Sequence, residues 1–193
     1  MRIIAGTYGG RRIKTPRNFK THPMSERMRQ ALFNSLSPIE GLEVWDAFAG
    51  SGALAIEAIS RGAKSSVATD KDRDAFKVLK ENVEKLDLVN QVTIQRTSAK
   101  AWSKRNNSVE FDIIFCDPPY NNMQLSTVFK LFKHLKPKGL MVLSQPGREP
   151  VTTVNGVVVV DNRNYGDASL VTYQHDPKFA IDYDNLKLIT TVK

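Results

Sequence analysis

The chain has 193 residues, 41% of them hydrophobic, and a formal net charge of +8. That length suits one large domain, or one domain with an appendage, rather than two independent domains. No apolar run reaches the roughly 18 residues that span a bilayer, Met1–Gly6 lacks a signal-peptide core, and one cysteine cannot form an internal disulfide, so a cytoplasmic protein is expected.

The charge is concentrated at the amino end. Arg2, Arg11, Arg12, Lys14, Arg17, Lys20, Arg27 and Arg29 stand against Glu26 alone in the first 36 residues, so +7 of the net +8 lies there. Such asymmetry suggests a polyanion-binding arm on a nearly neutral body, against the plainer reading of a solubilising surface. Within this arm, residues 2–8 and 11–15 read as a hairpin turning at Gly9-Gly10, a pair that tolerates the positive φ angles of a two-residue turn. Ser25 then caps a helix whose apolar face comprises Met28, Ala31, Leu32, Ser35 and Leu36, with Arg27, Arg29, Gln30 and Asn34 off it, ending near Ser37-Pro38.

From Gly41 the pattern alternates. Strands are expected at 42–48, 65–70, 91–96, 111–116 and 139–145, and helices at 53–61, 71–87, 98–104 and 124–135, which together argue for right-handed crossovers and a mainly parallel sheet. Cys116 reads as a small buried hydrophobe in the fourth strand. Beyond Gly147, Asn155-Gly156 interrupts Val151–Val160 as a hairpin signal, and Ala168–Tyr173 adds another β-like run, fitting an antiparallel edge. The tail 176–193 is open between strand, docking segment and disorder. His22, His134 and His175 have no ligand spacing, so no metal site is expected.

The first strand runs into Asp46-Ala47-Phe48-Ala49-Gly50-Ser51-Gly52, whose glycines let a ligand approach the backbone ahead of a helix amino end. Asp70, followed by Lys71, closes the second strand where a ribose acceptor is useful, and Thr97-Ser98-Ala99 follows the third at the level of an adenine. Taken alone, Gly50–Ala55 also fits the dinucleotide pattern G-x-G-x-x-[GA]. The fourth strand ends in Asp117-Pro118-Pro119-Tyr120. Two prolines cannot extend a ladder, so the strand stops there, leaving the Asp117 carboxylate and Pro118 carbonyl as acceptors beside an aromatic ring. A planar base with an exocyclic amino group suits that combination, whereas a nicotinamide enzyme has no use for it.

Asp46–Leu54, Asp70 and Asp117–Tyr120 resemble the class I S-adenosylmethionine-dependent methyltransferases that act on exocyclic or amide nitrogens. Arg2–Gly6, Gly10–Arg12, Arg27–Asn34, Ser60–Ala63 and Tyr165–Asp167 are similar, more narrowly, to the RsmD-like 16S ribosomal RNA guanine-N2 methyltransferases. The resemblance implies a Rossmann-like α/β fold: a mainly parallel seven-stranded sheet with an antiparallel edge, spanning residues 41–175, behind a small basic hairpin and helix in residues 1–40. It implies S-adenosylmethionine held by Asp46, Phe48, Ala49, Gly50, Gly52, Asp70, Lys71, Ser98 and Ala99, and chemistry at Asp117, Pro118, Pro119 and Tyr120. Arg11, Arg12, Lys14, Arg17 and Arg27 would grip RNA phosphates of an assembling small ribosomal subunit, with the protein a monomer. His22-Pro23-Met24 replaces the family's usual Arg-Pro-Thr, and Ser98 stands where an acid is usual. A DNA adenine-N6 methyltransferase, a nicotinamide oxidoreductase and a non-catalytic RNA binder are the competing readings.

Overall fold

The structure is a computed structural model that describes residues 1–16, 24–36 and 38–190. Its centre is a seven-stranded sheet built from β1 (Glu43–Asp46), β2 (Ser65–Asp70), β3 (Val92–Arg96), β4 (Phe111–Cys116), β5 (Leu135–Pro146), β7 (Val157–Asn164) and β8 (Ala168–His175), in the order β3-β2-β1-β4-β5-β8-β7. The first five strands run parallel, while β8 is antiparallel to both β5 and β7. The crossover helices are α2 (Ala53–Ser60), α3 (Arg73–Lys85), α4 (Ala99–Arg105) and α5 (Leu125–Lys130).

Alternation along the strands feeds two cores, as expected of parallel strands covered on both faces. Val44, Ile113, Phe115 and Val142 point toward the side covered by α1 (Glu26–Ser35), α2 and α3, where they meet Leu32, Phe33, Ile56 and Leu79. Trp45, Ile114, Cys116, Met141 and Leu143 point the other way, toward Trp102 of α4 and Phe129 of α5. Cys116 is 1% exposed, a packed core thiol as its apolar strand predicts.

Several expectations are corrected. The helix expected over 124–135 breaks into α5 and a 3-10 turn at Leu131–His134, because β5 begins at Leu135, four residues before its expected start. Asn155-Gly156 does turn the chain, but it links two sheets: β6 (Thr152–Val154) pairs with β9 (Leu188–Thr190) of the tail, and β7 pairs with β8. The hairpin lies instead at Tyr165-Gly166, where Tyr165 N–H bonds Ala168 O.

The amino-terminal turn is also wider than Gly9-Gly10 suggests. Pairing is confined to Met1–Ile3 with Arg11–Ile13, and residues 4–10 form a loop fastened to α2. Ile4 and Ala5 N–H groups donate to the two Glu57 oxygens at 2.8 and 3.1 Å, Thr7 N–H to Ser60 O, and Tyr8 N–H to Ser60 Oγ. On α1, Arg29 is wholly buried rather than off the face, and Phe33 is buried where Ala31 and Ser35 were expected to be. Arg29 can sit inside because Glu57, also 0% exposed, lies 3.8 Å from its Nε and the Arg2 carbonyl accepts from its Nη2.

Two glycines in this loop separate backbone strain from docking. Both have φ +80, but a Cβ on Gly6 would lie 1.7 Å from Ser60 O, whereas one on Gly10 meets nothing within 4 Å. Gly10→Ala should therefore cost only the left-handed penalty, about 1–2 kcal/mol. Gly6→Ala should cost clearly more, by roughly 1–3 kcal/mol, because the loop must leave α2. Denaturant unfolding of the two variants measures this, and equal losses would contradict the docking of the loop.

Candidate active site

Parallel register brings four strand ends to one edge. Asp46 pairs with Ala68 and Phe115, and Asp70 with Arg96, so Asp46, Asp70, Thr97 and Asp117 leave their strands on the same side. They wall a cavity of about 670 Å³, within the size range of ligand sites.

The loop after β1 is held by its own backbone and by its neighbours. Ala47 N–H bonds Phe115 O, Ala49 N–H bonds Thr69 O, and Gly52 N–H bonds Ala49 O. Gly52 begins α2 without a side-chain cap, and the Asp46 Oδ2 accepts from Ala55 N–H at 3.2 Å in its place. Gly50 has φ +53 and open space where a Cβ would stand, so its backbone faces the cavity bare. Gly52 differs from expectation. It does not line the cavity, and its Cβ would lie 2.4 Å from Leu79 Cδ1, so its absent side chain serves the packing of α2 on α3.

Asp70 Oδ2 accepts from Gly50 N–H and its Oδ1 from Asp72 N–H, both at 2.8 Å, which fixes the carboxylate against the glycine loop. Ser98 caps α4, accepting from Ala101 N–H at 3.2 Å, and so does local work where an acid was usual. Phe48, Ala49, Lys71, Ser98 and Ala99 all line the cavity.

At the end of β4, Asp117, Pro118, Pro119 and Tyr120 close the cavity's far wall. Tyr120 is 38% exposed, and its hydroxyl lies 2.8 Å from Ser144 Oγ on β5. Burial pushes the Asp117 carboxyl up to about 6, and a bond from Ser144 offsets part of that rise. Asp46 is pushed up to about 8, first by burial and then by the charges of Asp117 and Asp70, while its bond from Ala55 N–H opposes the shift. Asp70 is raised as well, chiefly by burial. A cationic guest suits a cavity walled by three acids, since its charge would offset the repulsion that Asp46 feels from Asp117 and Asp70.

Several residues important to this geometry had weak sequence signals. Glu57 is the lone acid in the apolar helix Ala53–Ser60, and that loneliness is its signal. Asn82 bonds the Lys14 main chain at both N–H and O and also donates to Ser51 O, tying the arm to the glycine loop. Ser144 had no signal, being one small residue in a buried strand.

The cations called for RNA divide. Arg11, Arg12 and Arg27 are exposed, Arg11 with its guanidinium 5.3 Å from the Tyr8 ring centre. Lys14 is already paired with Glu81 at 2.8 Å, and Arg2 with Glu26 at 2.9 Å. Arg17, with Lys20, His22 and Pro23, lies outside the described residues.

The family model described as "Conserved hypothetical protein 95" matches residues 1–174. Ribosomal RNA small subunit methyltransferase D of Haemophilus influenzae is 30% identical over 181 residues, covering 91% of this chain and 94% of that protein. The protein of the same name from Escherichia coli K12 is 31% identical over 134 residues, covering 69% and 67%. Among solved structures, Escherichia coli "Putative methyltransferase yhhF" superposes with a TM-score of 0.80 at 26% identity, covering 91% of this chain and 98% of that one. A family match over residues 1–174 and a fold shared almost end to end make this chain a methyltransferase that belongs to the Conserved hypothetical protein 95 family, that of the RsmD-like enzymes.

Proposed function

We propose that the protein methylates the exocyclic N2 of a guanine in 16S ribosomal RNA, using S-adenosylmethionine. The carrying observation is the pairing of a nucleoside-sized cavity with two oxygen acceptors and a half-exposed ring at one sheet edge. The relatives' names supply the RNA class, and the chemistry of the acceptors supplies the amine.

The residues present fit the cofactor. Asp70 offers a ribose acceptor, the bare Gly50 backbone allows close approach, Thr97–Ala99 border the far end, and Asp46 Oδ1 is buried without a partner. When bound, the cofactor supplies a methyl group on a positively charged sulfur, which the acid-rich cavity favours. A guanine amine is a poor nucleophile because its lone pair is delocalised into the ring. Donation of its two N–H groups to Asp117 and the Pro118 carbonyl would orient that lone pair, so the protein contributes mainly position and electrostatics. Asp117 takes up the proton once the amine has become cationic. Tyr120, braced by Ser144, stacks on a base turned out of the RNA. Arg11, Arg12 and Arg27, with Arg17 and Lys14, hold phosphates without reading sequence.

Asp70→Ala should weaken S-adenosylmethionine binding by about 1.5–3 kcal/mol in calorimetry, as expected for a charge-assisted bond. Tight NAD binding with no signal from S-adenosylmethionine would overturn the cofactor assignment. Asp117→Ala should fold and bind cofactor yet lose most single-turnover activity. In the wild type, Asp117 is the ionised acceptor only above its raised pKa of about 6, so turnover should fall as pH drops through that value. Wild-type turnover in Asp117→Ala would remove Asp117 from the mechanism. Replacing Arg11, Arg12 and Arg27 together should weaken RNA binding and flatten its logarithmic salt dependence by about 0.7–0.9 per lost contact. An unchanged slope across a salt series would return these side chains to the role of a solvated surface.

A further inference from the structure

A second concavity, of about 340 Å³, is lined by Ser25, Arg27 and Met28 at the start of α1 and by Asn164 and Tyr165 between β7 and β8. The start of α1 is the wall between this cleft and the cavity at the strand ends, because Met24 and Arg29 line the cavity while Ser25, Arg27 and Met28 line the cleft. The sheet register also puts the cleft beside the chemistry. Cys116 pairs with Leu143, so Asp117 is level with Ser144. The hairpin closes at Ala168, paired with Pro146, which lies about 7 Å beyond Ser144 along β5 toward the same edge.

The hairpin tip is fixed by bonds of its own. Asn164 Nδ2 donates to Gly147 O and Asn164 Oδ1 accepts from Gly166 N–H, both at 2.7 Å, while Gly147 N–H bonds Asp167 O at 2.9 Å. A Cβ on Gly147 would collide with Gly166 O, so the loop after β5 and the tip meet backbone to backbone. Tyr165, half-buried against the core cluster that holds Met28 and Leu170, is thereby held as an aromatic wall of the cleft. On α1, Arg27 is exposed and has no ion-pair partner among the described residues: its neighbour Glu26 is taken by Arg2, and Asp161 of β7 by Arg163. A fixed ring and an unpaired guanidinium lining one cleft complement a nucleotide, whose base stacks and whose phosphate is anionic.

We propose that this cleft holds the nucleotide next to the one being methylated, with its base stacked on Tyr165 and its phosphate on Arg27. This rests on the RNA methylation reading above. A guanine turned out toward Asp117 and Tyr120 leaves its neighbour in the strand unstacked on one side, and Tyr165 supplies the missing partner. The Asn164 amide is committed to the hairpin through both its oxygen and its nitrogen, so it shapes the cleft without reading a base. The subsite is therefore tolerant of sequence, since every base has a π-face to stack.

The test is methyl transfer to small-subunit RNA from cells lacking this protein, with KM for RNA and KM for S-adenosylmethionine measured separately on the wild type, Tyr165→Phe and Tyr165→Leu, and thermal unfolding as a check on folding. Leucine keeps apolar bulk but cannot stack, so KM for RNA should rise about 5- to 100-fold in Tyr165→Leu, the range of a base–aromatic stack. Phenylalanine keeps the ring, so Tyr165→Phe should stay within about 2-fold of the wild type, as should KM for S-adenosylmethionine in both variants. An unchanged KM for RNA in Tyr165→Leu, or an equal rise in Tyr165→Phe, would overturn the proposal. Should Tyr165→Leu fail to fold, ultraviolet cross-linking of the wild type to the same RNA decides: a cross-link from the peptide carrying Tyr165 to a nucleotide adjoining the methylated one supports the subsite, and no such cross-link overturns it. Absence of any methyl transfer by the wild type would overturn the RNA reading itself, an outcome distinct from loss of the stacking effect.

Discussion

Glu57 is a carboxylate with no exposure, in the helix that follows the glycine loop, and the amino-terminal module is assembled around it. It takes two main-chain N–H groups from the loop 4–10 and the Nε of Arg61, and it sits beside the buried Arg29. A charge so deeply placed is tolerable only when well-aimed donors meet it, and this one has three, with the Arg29 cation beside them. The consequence reaches beyond stability. Glu57 lets α1 carry a guanidinium into the wall of the cavity at the strand ends, and it fastens the amino-terminal segment to α2.

The electrostatics of the cavity follow from where strands end. Burial raises the proton affinity of all three acids at these adjacent carboxyl ends, pushing Asp46 up to about 8 and Asp117 up to about 6, and Asp46 feels the charges of Asp117 and Asp70 besides. Such a site resists filling with an anion and favours a ligand that brings positive charge. Burial leaves the Asp117 carboxyl near neutrality in its proton balance, which under the proposed mechanism suits a group that accepts amine protons as hydrogen bonds and later takes one.

Periodicity made the sheet legible, because buried parallel strands are short apolar runs and the crossovers between them carry helical spacing. Asp46, Asp70 and Asp117 were legible for a related reason: each is a polar residue at the end of an apolar run, where the chain must turn. What escaped was set by contacts distant in sequence. Gly52 looked like a ligand glycine, but Leu79, 27 positions on, claims the space of its Cβ. Arg29 looked solvent-facing because its partner Glu57 lies on another helix, and the Gly9-Gly10 turn gave way to a loop that α2 captures through Ser60. Asn155-Gly156 kept its turn but exchanged the strand it pairs, since the tail offered β9 to β6.

The most direct measurement is the identity of the methylated nucleoside. Small-subunit RNA from cells lacking this protein should be incubated with the purified enzyme and labelled S-adenosylmethionine, digested to nucleosides and resolved by mass spectrometry. The account predicts label in N2-methylguanosine and its loss with Asp117→Ala. Label in N6-methyladenosine, or none in any nucleoside of that RNA, would contradict it.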